Sequence, residues 1–132
     1  MSRLPTMRLG DQGWTVPVMI ESTHTGHGRE RGFGDARTSI GLRTPRYSYV
    51  RHRGGKDELY DLVEDPLQMR NVASGPRYAA EVRVLNTVWW DMRNCAGAAC
   101  RILLPAELQA GPVRARLMTR DYWAAVDRVY GW

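Results

Sequence analysis

The chain has 132 residues, a formal net charge of +5, an apolar share of 43% and five tryptophans. That length suits one domain with a real hydrophobic core, and the aromatic content is that of a globular chain rather than a solvated, disordered one. The positive charge is almost wholly arginine, Lys56 being the only lysine; acids are interleaved with it, so no basic stripe forms of the kind that phosphate tracking requires, which argues against a nucleic-acid binder.

The opening stretch, MSRLPTMRLGDQGW, has neither the apolar h-region nor the small-residue cleavage site of a secretory signal. No apolar run in the chain approaches the roughly 20 residues that span a bilayer, so no membrane partner is expected. TVPVMIEST, residues 15–23, is a short apolar, β-branched run that reads as a mostly buried strand. HTGHGRERGFGDART, with four glycines and mixed charge, reads as a loop. SIGLRT and YSYVRHR, separated by Pro45 and Arg46, alternate with the period of two that gives a strand one dry face: Ile40 and Leu42 in the first, Tyr47 and Tyr49 in the second. RGGKD is a hairpin turn in which Gly54 and Gly55 accept positive φ, and ELYDL is the closing strand, stopped at Asp65-Pro66.

The stretch 75–94 carries the strongest helical pattern. Ser74 is a candidate cap, Pro76 suits a first turn, and Tyr78, Val82, Leu85, Trp89 and Met92 recur at spacings of three and four, predicting an amphipathic helix of about five turns. Trp89 and Trp90 are about 100° apart on such a helix, so only one can face the sheet fully; the other is expected to meet a further domain or the C-terminal segment around Trp123. RILLP reads as an edge strand or a packed extension, and residues 119–130 as a short helix capped by Thr119. The fold class expected is α+β: a small antiparallel sheet of about four strands packed by one long amphipathic helix, with a short C-terminal helix.

Chemistry is harder to find. The carboxylates of Asp57, Glu58, Asp61, Glu64 and Asp65 fall in one segment, but on a strand Asp57 and Asp61 would stand about 13 Å apart, too far for acid and base work on one bond; they read as turn and cap carboxylates at a solvent edge. His24 and His27 in HTGH form a loop pair without a visible third ligand. No Gly-x-Ser-x-Gly elbow occurs, and GHGRERGFG lacks the glycine spacing of a phosphate loop. Cys95 and Cys100 in CAGAAC can be bridged if the loop turns tightly at Gly97, and a bridge is the expected state of an exported chain; a lone pair cannot make a four-ligand zinc site.

Taken together, GLRTPRYSYVRHRGGKDELYDLVEDPLQMRNVA resembles the C-terminal region of the sulfatase family. There, a G-x-R-T-x-x-Y-x-Y strand is followed by a glycine turn, E-L-Y-D-L, D-P and N-x-A. Gly41, Arg43, Thr44, Arg46, Tyr47, Tyr49, Glu58 to Leu62, Asp65, Pro66, Asn71 and Ala73 fall in place. MIE at 19–21 resembles the preceding strand, SRLPTMRLGDQGW the linker leading to it, and MRNCAGAACR the C-x-G-x-x-C ending of arylsulfatases and glucosamine-6-sulfatase-like members. The resemblance runs over residues 2–104 and implies a sulfatase-like C-terminal subdomain there, with 105–132 as an extension.

The resemblance further implies a four-stranded subdomain packed against a large α/β catalytic domain, which is the partner expected. That domain would hold calcium and a formylglycine made from Cys or Ser in a C/S-x-P-x-R motif, and would act on a sulfated substrate. The nearest string here, SGPRY at Ser74, places the arginine one position early. The expectation is a fragment of a sulfuric ester hydrolase, inactive alone, whose parent would be exported as family members commonly are. In the family the loop at 24–35 faces the cleft mouth, which makes His24, His27 and Arg29 candidates for the substrate rim. The alternative is a small basic module for sulfated or phosphorylated polyanions.

Overall fold

The computed structural model describes residues 13–23 and 37–131. Strands β1 (Val18–Thr23), β2 (Arg37–Arg43), β3 (Tyr47–His52) and β4 (Asp57–Asp61) form one antiparallel sheet in the order β1-β2-β3-β4. A single turn of 3₁₀ helix, Pro76–Tyr78, leads into α1 (Ala79–Met92), and α2 (Pro112–Tyr130) closes the chain. This is the α+β arrangement that the alternation and the helical spacing predict.

Register follows from the sequence pattern. Leu42 faces Tyr49, Tyr49 faces Leu59 and Tyr47 faces Asp61, so Ile40, Leu42, Tyr47, Tyr49 and Leu59 project to one side, and all are buried. Residues two apart on a strand share a face, which is why one slip of register would expose the whole set. Gly54 and Gly55 in the β3–β4 turn have φ of +93° and +91°, values that a side chain makes costly.

Helix α1 covers that face. Leu85, Val88, Trp89 and Met92 are buried on it, with Tyr78 just ahead of the helix. Trp89 is fully buried and its indole donates to the Ile40 carbonyl at 3.0 Å, tying α1 to β2. Burying side chains of this size contributes about 1.5–3 kcal/mol each for the aliphatic ones. Val82 is only partly buried and Val88 takes its place in the core.

Several local expectations are corrected. Ser74 does not cap: Gly75 occupies the N-cap of the 3₁₀ turn, with Pro76 at the first position and no side-chain cap bond. α1 itself has 14 residues, while the C-terminal helix is the longer of the two at 19. It begins seven positions before Thr119, after Gly111 and with Pro112 in the first turn, the placement that proline's fixed φ favours. The Thr119 hydroxyl donates to the Ala115 carbonyl at 2.9 Å within the helix. RILLP is a packed extension, with Leu104 buried and its N–H donating to the Thr15 carbonyl at 2.8 Å. Trp14 and Ala110 then exchange backbone hydrogen bonds, so the segment up to 110 is stitched to residues 14–15.

Trp90 stands edge-on to Trp89, ring centroids 5.2 Å apart, and lies under the Arg93 guanidinium. Trp123, the C-terminal ring expected as one possible partner, is 61% exposed and makes a ring contact with Tyr122.

Candidate functional site

The polar side chains of the motif-bearing segment converge at the end of the sheet where β3 begins and β4 ends. Asp61, only 2% exposed, accepts from both ends of the Arg46 fork, Nε to Oδ1 at 3.0 Å and Nη2 to Oδ2 at 2.7 Å. The Tyr78 hydroxyl donates to Oδ2 at 3.1 Å and the Val63 N–H to Oδ1 at 3.2 Å. Burial pushes the Asp61 carboxyl up, but Arg46, Tyr78 and the Val63 N–H outweigh it, and it sits below its ordinary value. Asp61 is therefore a satisfied, ionised core group, not a carboxylate at a solvent edge. The sequence signal for this was the cross-strand pairing of Tyr47 with Asp61, which places Asp61 on the dry face once the register is known.

Asp57, on the same face of β4, belongs to a second network. Its Oδ2 accepts from the Tyr49 hydroxyl at 2.7 Å and its Oδ1 from Arg51 Nε at 3.1 Å. Asn86 of α1 donates to the Tyr49 oxygen at 3.1 Å. Burial is the main reason that the Tyr49 hydroxyl is pushed well above its ordinary range, with Asp57 adding to it against the opposing Asn86 bond. Each strand carboxylate thus has its own arginine and its own tyrosine, and the two do not share a reacting centre. On the other face, His52 and Tyr60 both engage Glu58, at 2.9 and 2.7 Å.

The remaining motif residues also act within the fold. Thr44 Oγ1 accepts from the Tyr47 N–H at 2.9 Å and closes the β2–β3 turn, with Thr44 fully buried. Asn71 Oδ1 accepts from the N–H groups of Leu59 and Ala73, both at 3.0 Å, while its amide donates to the Asp57 carbonyl at 3.2 Å. One side chain thus pairs the open edge of β4 with the segment that returns after Pro66, an edge whose unpaired groups would otherwise invite association. Asp65 Oδ2 accepts from the Arg70 N–H at 2.8 Å and holds the intervening turn.

Cys95 and Cys100 form a disulfide, with Cα atoms 5.1 Å apart. Gly97, at φ +57°, makes the tight turn between them. His24, His27 and Arg29 lie outside the described residues. Among the described residues no three His, Cys, Asp or Glu side chains group as metal ligands. Ser74 opens onto the 3₁₀ turn, and Arg77 lies over the Tyr78 ring, 5.4 Å from its centroid.

No family model matches the chain. It is similar to a Delta 4,5-hexuronate-2-O-sulfatase of Bacteroides thetaiotaomicron, 32% identical over 91 residues. A sulfatase-like relationship is what that match supports. It covers 64% of this chain and 18% of that protein, so the chain spans less than a fifth of the curated relative it matches.

Proposed function

We propose that this chain is the C-terminal portion of a sulfatase, a sulfuric ester hydrolase whose chemistry is carried by a separate catalytic domain with calcium and formylglycine. The observation that carries this reading is the match to the hexuronate sulfatase, which spans a small share of that protein's length. The geometry is consistent with it: Thr44, Arg46, Asp61 and Asn71, four polar residues of the sulfatase-like run, hold strands and turns together. On this reading the chain is catalytically silent alone, and its sulfated substrate is met only in the complete enzyme. The disulfide fits an exported parent, since such bonds persist mainly in oxidising compartments.

A chimera tests the proposal. Grafting residues 13–104 onto the catalytic domain of the hexuronate sulfatase, in place of its own matching segment, is expected to give a soluble enzyme that turns over its sulfated substrate. A folded chimera whose catalytic domain separates from the graft, with turnover no better than that of the catalytic domain alone, would overturn it.

A further inference from the structure

A cavity of about 310 Å³ lies between the end of β2 and helix α2, at the lower end of the size range of small-molecule sites and with room for one sugar-sized ring. Its walls include Trp14, Arg43, Pro45, Arg114, Tyr122 and Trp123. The Arg43 guanidinium lies 5.9 Å from the Trp14 centroid and 5.8 Å from that of Tyr122, within cation–π range of both rings. Trp14 is pinned by its own indole bond to the Val16 carbonyl at 2.7 Å, and Tyr122 by an edge-on contact with Trp123.

Rings interact with a guanidinium through its charge, but they do not accept its five in-plane N–H groups in the way that an oxyanion does. Among the described residues Arg43 has no carboxylate partner, and burial pulls it below its ordinary range with Tyr122 opposing. Such a half-buried cation is costly unless something answers it. The cavity's carboxylate, Asp121, is held by Arg120 at 2.7 Å. Arg114 adds a second cation to the same wall. The neighbouring cavity of about 280 Å³ differs: it shares Arg114, but Glu81 and Glu107 line it, and its Arg46 is paired with Asp61.

We infer that the cavity between β2 and α2 binds a small ring-bearing oxyanion, a carboxylate or sulfate on a single sugar-sized ring. The anionic group meets the N–H edge of Arg43 with Arg114 beside it, and the ring rests against Trp14 and Trp123. This goes beyond the sulfatase reading and does not rest on it: the wall supplied by α2 comes from residues past 104, outside the sulfatase-like run.

The test is titration of the full chain, followed through its indole N–H signals in ¹H–¹⁵N spectra, with glucuronate, glucose 6-sulfate, glucose and inorganic sulfate. Saturable shifts are expected at Trp14 and Trp123 with one or both anionic sugars, while the fully buried Trp89 stays still and reports an intact fold. Which of the two binds distinguishes carboxylate from sulfate. Glucose is expected to cause no shift, and inorganic sulfate to bind at least tenfold more weakly than the better sugar. Arg43→Met should weaken binding at least tenfold; Arg114→Gln, on the helix surface, should weaken it severalfold and gives a second reading if Arg43→Met fails to fold. No saturable shift with either anionic sugar, equal response to glucose, inorganic sulfate binding as well as the sugars, or unchanged affinity in a folded Arg43→Met or Arg114→Gln chain would overturn the inference.

Discussion

The sheet with α1 and the C-terminal helix α2 are both helical or strand structure from ordinary sequence signals, but they are held in different ways. In α1, Leu85, Val88, Trp89 and Met92 are buried against the sheet, and the Trp89 indole is bonded to β2. In α2 the buried positions are two alanines, Ala115 and Ala125, while Val113, Val129 and Tyr130 are exposed. The first helix is fixed by tertiary burial, and the second is specified largely by local signals, with Pro112 at its start and Gly131 at φ +64° at its end. Periodicity of large side chains therefore says more about packing than helix propensity does.

Substitutions at comparable residues should expose that difference. Trp89→Ala removes a buried ring and its indole bond and is expected to cost about 3–5 kcal/mol in denaturant unfolding, whereas Trp123→Ala should cost less than about 1 kcal/mol. Equal losses at the two would mean that α2 is packed as deeply as α1.

The next largest effect belongs to Asp61. Asp61→Asn keeps the shape but removes the charge that answers Arg46; with the arginine partly open to solvent, a loss of about 2–3 kcal/mol is expected. Because the folded-state carboxyl lies below its ordinary 3.8, its contribution is fully present above that value and disappears as pH falls through the lower, folded-state value. Acid unfolding of the parent chain should therefore show a stability loss below about pH 4 that Asp61→Asn lacks. Identical acid limbs for the two chains would remove Asp61 from the account.

Reducing Cys95–Cys100 comes next. The loop it closes is short, so the loop-entropy relation gives about 2 kcal/mol, read as a shift in midpoint on adding reductant. Smallest of all is the exposed surface of α2: Val113→Ser with Val129→Ser, both exposed, should move the midpoint by no more than about 0.5 kcal/mol.

The contrast also marks what was legible in the sequence. Ile40 and Leu42, Tyr47 and Tyr49, and the stripe from Tyr78 to Met92 announced the core, because large apolar residues at period two or 3.6 have few alternatives to one dry face. Gly54 and Gly55 announced the turn. The start of α2 was missed because residues 112–118 mix arginine with small and apolar residues and show no core stripe, although Gly111 and Pro112 were a usable start signal. The ionised core at Asp61 was missed for a different reason. Strand residues reveal their face only after register is assigned, and Asp61 in ELYDL looks like any edge carboxylate until Tyr47 is placed opposite it. The cavity at Arg43 depends on Trp14 and Tyr122 meeting across more than a hundred positions of sequence, which no local pattern encodes.

The central proposal is that the sulfatase-like run in this chain carries no sulfatase chemistry, which belongs to a separate catalytic domain. The purified 132-residue chain, incubated with 4-nitrocatechol sulfate in the presence of calcium, tests it most directly. The account predicts no release of nitrocatechol above buffer, because the inward-facing strand carboxylates Asp61 and Asp57 are taken up by Arg46 and Arg51 within the fold. Calcium-dependent turnover that is lost on unfolding and abolished by a substitution in this chain would contradict it.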